Sequence, residues 1–141
     1  MQIGVDSQRA VENKRIFVLD QDEINSMGLQ FMLADEYETH VLTSIAAALD
    51  KAVSWPPDLV LLGSSYLSEN VSDTMQRLRS AMPQTKIVLV SADPFLPGVL
   101  EALKQGASSV LLTPLTIENT RRRVDTALGR IAPVGIPVVP I

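Results

Sequence analysis

The sequence predicts a single α/β domain, a parallel sheet covered on both faces by helices, and three observations carry that expectation. The chain has 141 residues and is 46% hydrophobic, enough for one well-packed core and too short for two ordinary domains. From Arg15 onward, short β-branched or leucine-rich runs alternate with longer segments of helical period, the pattern of strands joined by crossover helices. Four of the five short runs are apolar almost throughout, as strands buried on both faces are.

Strands are expected at Arg15–Leu19, Glu38–Leu42, Asp58–Leu62, Lys86–Val90 and Ser109–Leu112. The second is more polar and belongs at an edge. Val71, Met75, Leu78 and Met82 recur at helical spacing, and Pro83 ends that segment. Pro97 restricts where the next helix begins; Val99, Leu100 and Leu103 give it a period, and Gly106 suits a left-handed residue at its end. In the last helix Thr116 offers an N-cap and Glu118 sits in the first turn, where a negative charge complements the helix dipole. Ile117, Val124, Leu128 and Ile131 form its expected buried stripe.

The domain is bounded by an expected loose arm, residues 1–14, and a tail, residues 132–141, with the domain proper at 15–131. The tail reads APVGIPVVPI, and its three prolines and one glycine exclude a regular helix. Val134, Ile136, Val138, Val139 and Ile141 make it more apolar than a free solvated terminus. It is expected to dock on its own domain or on a partner's sheet edge, or to be the stub of a linker to an output domain.

Composition excludes several function classes. The net charge is −4 with scattered acidic residues, so no basic stripe exists to track a phosphate backbone, and direct nucleic-acid binding is not expected. The chain lacks cysteine, which rules out disulfides, thiolate metal sites and a cysteine nucleophile; a single histidine, His40, rules out a histidine-rich metal site. The opening MQIGVDSQRAVENK is polar, without the apolar core of a signal peptide, and no apolar run approaches membrane-spanning length. A soluble cytoplasmic protein without membrane contact is the expectation.

In an open parallel sheet, functional groups collect beyond the carboxyl ends of the strands, where strand order reverses. Those ends carry Asp20, Gln21 and Asp22, then Gly63, Ser64 and Ser65, then Ser91, then Thr113 and Pro114. The successive motifs VLDQDE, PDLVLLG, KIVLVSA and EALKQGASSVLLTPL resemble the strand ends of a response-regulator receiver domain of the CheY-like kind, over Arg15 to about Ile131. The resemblance implies a flavodoxin-like (βα)5 fold with strand order 2-1-3-4-5 and a place in two-component, phosphorelay-type signal transduction.

It also implies a chemistry that these residues depart from. Gly63 stands where the family has its phosphoacceptor aspartate, and glycine has no side chain to phosphorylate. Asp20 matches the first of the paired acids that hold Mg²⁺, Gln21 replaces the second with a neutral amide, and Asp22 matches a common third acid. The favoured reading of Asp20 and Asp22 is a solvated turn into a helix, where their charge complements the helix N-terminus. Thr113 takes the place of the lysine that pairs with the acceptor, so both partners of that ion pair are gone together; losing one alone leaves a charge without its counterion. Ser91 matches the family's switch hydroxyl, Val110 replaces its switch aromatic, and Pro114 matches the proline of its cis peptide.

The expectation is therefore a degenerate pseudo-receiver, not an enzyme, with no metal or cofactor. It would act on protein partners through phosphorylation-independent contacts. The face that the family uses, helix four with strand five and helix five, would present Glu101, Lys104, Val110, Glu118, Arg122 and Asp125 and suits a homodimer. Arg121, Arg122 and Arg123 form a basic cluster within pairing distance of Glu118 and Asp125 on the same helix. The alternative is a sensor that binds a small molecule in the neutralised pocket. Ser64 and Ser65 lack a base, since His40 is on the wrong strand, and the acidic LDQDE turn would repel a flavin or nucleotide phosphate.

Overall fold

The computed structural model describes residues 14–130. Ile131, the tail and residues 1–13 of the arm lie outside them, so their expected roles are not addressed by the fold. Strands β1 (Arg15–Leu19), β2 (Glu38–Val41), β3 (Leu59–Gly63), β4 (Lys86–Ser91) and β5 (Ser109–Leu112) form one sheet, all parallel, in the order β2-β1-β3-β4-β5. Helices α1 (Glu23–Leu33), α2 (Ile45–Ser54), α3 (Val71–Ala81), α4 (Pro97–Lys104) and α5 (Ile117–Ala127) are the crossovers. A 3-10 turn at Ser64–Leu67 follows β3. The order is the one that the resemblance implies. The third strand begins one residue later than expected because Asp58 is spent on the turn, where its carboxylate accepts from the Arg15 N–H at 2.8 Å.

Alternation along the strands sends side chains to two cores. Phe17, Leu19, Val60, Leu62, Ile87 and Leu89 face α2, α3 and α4, while Ile16, Val18, Leu59, Leu61, Val88 and Val90 face α1 and α5. Helix α1 meets the sheet with Ser26, Leu29 and Leu33, α2 with the small Ala48 and Ala52, and α3 with Met75 and Leu78. Caps fix the helix starts: Asp22 accepts from the N–H groups of Ile24 and Asn25, Ser44 from Ala47, and Thr116 from Asn119. Pro97 is in the first turn of α4, and Gly106 follows it with φ +114°, in the left-handed region.

One residue of the expected buried stripe, Ile117, is on the surface, and so is Leu100, one of the periodic residues of α4. Thr120 fills the buried α5 position one turn on from Thr116. Helical spacing fixes which residues share a face but leaves its rotation against the sheet to packing, and here Val99 with Ala102, and Thr120 with Val124, win the inward positions.

At the amino ends of the strands, Arg15 donates to Glu38 at 2.7 Å, and His40 Nε2 lies 2.7 Å from the same carboxylate oxygen. The Arg15 hydrogen bond, then the His40 one, holds the Glu38 carboxyl below its ordinary range. Trp55, just after α2, has the Arg15 guanidinium 5.0 Å and the Lys51 ammonium 5.6 Å from its ring centre.

At the opposite end, Gly98 brings the α4 backbone against the 3-10 turn so closely that a Cβ there would lie 2.0 Å from the Leu67 carbonyl oxygen. That atom belongs to the backbone and cannot swing aside. Gly98→Ala is therefore expected to destabilise the domain by about 1–3 kcal/mol, read as a lower urea midpoint with an unchanged slope.

Candidate functional site

Strand order reverses between β1 and β3, so the chain leaving β1 enters α1 on one face of the sheet and the chain leaving β3 leads to α3 on the other. The crevice between those two exits is where an open α/β sheet gathers functional groups. Asp20 and Gly63 meet across it. A Cβ at Gly63 would lie 2.6 Å from Asp20 Cγ and 2.7 and 2.8 Å from its two oxygens. Gly63 has φ −69°, open to any residue, so it is space and not backbone conformation that requires a glycine here.

Asp20 is held over Gly63 from two sides. Its Oδ1 accepts from the Asp22 N–H at 2.9 Å and its Oδ2 from Asn25 Nδ2 at 3.2 Å. Below it, Ser26 Oγ donates to the Asp20 carbonyl at 2.9 Å. Burial pushes the Asp20 carboxyl above its ordinary value, the two donors oppose that rise, and the Asp22 charge adds to it. Tyr66, in the turn after Gly63, is likewise raised by burial and then by the Asp20 charge. Asn25, Ser26 and Tyr66 escaped the sequence reading; Asn25 is five positions from Asp20, a spacing with no motif attached.

The other strand-end residues are occupied locally. Gln21 is exposed, and Asp22 Oδ1 serves as the α1 cap at 2.9 and 3.2 Å from the Ile24 and Asn25 nitrogens. The buried Ser91 hydroxyl donates to the Asp93 carbonyl at 2.8 Å and accepts from the Asp93 N–H at 3.1 Å. Thr113 is half-buried, its N–H donates to the Ser91 carbonyl at 3.0 Å, and the Thr113–Pro114 bond is cis. Ser64 and Ser65 lie in the 3-10 turn, and His40 is bound to Glu38 on the edge strand β2.

These residues do not fit Mg²⁺, the ion that the receiver resemblance implies. A hard octahedral cation wants several free oxygens. Asp20 is the one carboxylate at Gly63, both of its oxygens already accept hydrogen bonds, and the Asp22 oxygen nearest the turn caps a helix. Among the described residues, no group of three or more His, Cys, Asp or Glu converges on a point.

The expected contact face is only partly assembled. Arg122 and Arg123 line a shallow depression with Leu111, Leu112, Asn119 and Thr126 where β5 meets α5, and Leu112 is exposed there. Glu118 and Lys104 are exposed, and Val110 is half-buried against the α2–α3–α4 core. Glu101 turns toward α3, accepting from Gln105 Nε2 at 2.8 Å, which also reaches Ser72 Oγ at 3.0 Å. Asp125 does not belong to that face: its carboxylate accepts from the Tyr37 hydroxyl beneath α1. Arg121 pairs with Asp35 at 3.6 Å and Glu36 at 3.9 Å, not with Glu118 or Asp125, because it faces the end of α1.

A solved response regulator from Thermotoga maritima superposes with a TM-score of 0.74 over 83% of this chain and 98% of its own, at 20% identity. The chain folds as a response-regulator receiver domain. A two-component response regulator from Clostridium difficile matches this chain with a TM-score of 0.72 at 22% identity, over 84% and 98% of the two chains. The receiver domain of NtrX from Brucella abortus does so with 0.72 at 19%, over 81% and 98%. In sequence, the transcriptional regulatory protein LnrK of Bacillus subtilis is 25% identical over 115 residues, 79% of this chain and 52% of that protein. The uncharacterized transcriptional regulatory protein YkoG of the same organism is 28% identical over 121 residues, 84% and 52%. The chain thus spans about half the length of these curated relatives. No protein-family model matches it.

Two outcomes follow from the Asp20–Gly63 contact. The folded state holds the Asp20 proton more tightly than the unfolded chain, so ionisation of Asp20 weakens folding as pH rises through its titration. Asp20→Asn is expected to melt above the wild type near pH 7, with the gap closing as pH falls below that titration. Gly63→Ala should displace Asp20 and its two hydrogen bonds, costing about 1–3 kcal/mol, while in an Asp20→Ala background this cost should vanish, a coupling that a double-mutant cycle in urea measures.

Proposed function

We propose that this receiver domain acts in two-component signal transduction as a non-catalytic cytoplasmic adaptor, through protein contacts that do not depend on phosphorylation. The observation that carries the reading is the Asp20 carboxylate resting where the side chain of an acceptor at position 63 would be. An aspartyl phosphate needs a carboxylate nucleophile, a cation to offset the phosphoryl charge and a donor for its oxygens. At position 63 there is no carboxylate, and the nearest one bears the same sign as a phosphoryl donor and repels it. Thr113 offers no positive charge, and the Ser91 hydroxyl is committed to Asp93. A small-molecule sensor would need room beside Gly63, which Asp20 takes.

With the chemistry gone, what is left to use is surface. The β5–α5 edge offers exposed Leu112 beside Arg122 and Arg123, an apolar anchor next to two cations. Such a patch suits a partner, or a second copy, that brings an acidic rim around an apolar contact.

Incubation with Mg²⁺ and acetyl phosphate tests the reading. The intact mass of the wild type is expected to stay unchanged, whereas Gly63→Asp combined with Gln21→Asp and Thr113→Lys should gain a phosphoryl group. A phosphoryl adduct on the wild type sinks the proposal and sends the search for an acceptor to Asp20, Asp22, Ser64 and Ser65.

A further inference from the structure

The outer side of α1 is apolar where a solvated helix is polar. Ile24, Met27 and Phe31 are 81%, 65% and 77% exposed, and Ala34, the exposed C-cap residue, keeps helical dihedrals. These four are spaced by three, four and three residues, the a and d positions of a heptad, which is the seam that one helix offers another. The core side of α1 is a different one, carried by Ser26, Leu29 and Leu33. Beside the seam Ile117 of α5, 44% exposed, lines a groove with Met27, Phe31 and Arg121. The stripe is on the sheet face opposite α4 and is separate from the β5–α5 depression.

The size and the order of the stripe indicate what covers it. Ile24, Met27, Phe31 and Ile117 leave on the order of 500 Å² exposed, about the apolar share of the roughly 800 Å² that each partner contributes to a standard-size interface. The seam is also its own complement. A twofold axis crossing α1 at Leu29 lays two copies of the helix antiparallel, with Met27 against the partner's Phe31 and Ile24 against the partner's Ala34. Sulfur then meets an aromatic ring, and a large side chain meets a small one. The four seam residues are uncharged, so pairing them with themselves buries no charge. At the ends of the seam Glu23 comes level with the partner's Asp35, and Arg121, 3.6 Å from Asp35, supplies a cation there.

We infer that the α1–α5 face is where a second copy of this chain docks, α1 lying antiparallel on the partner's α1 across a twofold axis. Phe31 is the anchor. It is the largest side chain of the stripe, and this register puts its ring beside the partner's Met27 and Ile117, which line the groove. The contact leaves the β5–α5 depression outside the interface, so one dimer carries that patch twice.

Sedimentation equilibrium on the full chain reads the association. The average mass is expected to rise from one chain toward two as concentration approaches about 1 mM. Phe31→Glu, at an exposed position outside the core, should weaken association at least about thirtyfold, whereas Leu112→Glu on the β5–α5 edge should leave it unchanged. A wild type that stays at one chain overturns the proposal. So does a dimer lost with Leu112→Glu but kept with Phe31→Glu, which moves the second copy to the other face. The chain has no cysteine, so introduced ones report the register. Under mild oxidation, Ile24→Cys mixed with Ala34→Cys is expected to form a disulfide between the two chains. Either variant alone should form none, because like positions lie roughly 15 Å apart across the axis. Self-linking of each variant as fast as the mixture also overturns the proposal.

Discussion

Strands β1 and β3 have no wet side. Every residue from Ile16 to Leu19 and from Leu59 to Gly63 is buried, so their backbone groups must pair with neighbouring strands and both of their faces must be roofed. Parallel pairing meets the first demand and crossover helices the second, two on one face and three on the other. Each crossover returns the chain to the same end, so all strand exits open on one side. The crevice between β1 and β3 exists because the sheet is wound both ways from that pair.

A crevice of this kind ordinarily concentrates charge, and in this one a single carboxylate has settled over a missing side chain. Glycine at 63 and aspartate at 20 are two halves of one arrangement. The glycine makes the space, and the carboxylate uses it at the cost of desolvation that the Asp22 N–H and the Asn25 amide partly offset. Beside it, Ser91 is tied to its own loop and the Thr113 N–H to the Ser91 carbonyl.

The fold was legible because its signals are long-range and redundant: four apolar runs and a more polar edge run, the intervening helical periods, and Pro83, Pro97 and Gly106 as punctuation. The sequence also placed Asp20, Gly63, Ser91, Thr113 and Pro114 at one end of the sheet, since strand ends are counted from strand runs. What it left open was where each side chain turns. Periodicity put Ile117 inside, and packing turned it out; Asp125 and Arg121 looked like neighbours on one helix and each found a partner beneath α1. The Asn25 bond to Asp20 depends on a rotamer chosen in three dimensions. Such choices are decided by competition among contacts, which a one-dimensional pattern does not record.

Trp55 is the sole tryptophan of the chain, and it is half-exposed at the amino end of the sheet beneath two cations. Its emission is set by Arg15, Lys51 and water at that end. The whole sheet lies between it and Asp20. Loss of the base of the fold, where Arg15 is also bound to Glu38, changes the light it gives; a rearrangement confined to the crevice leaves that light as it was.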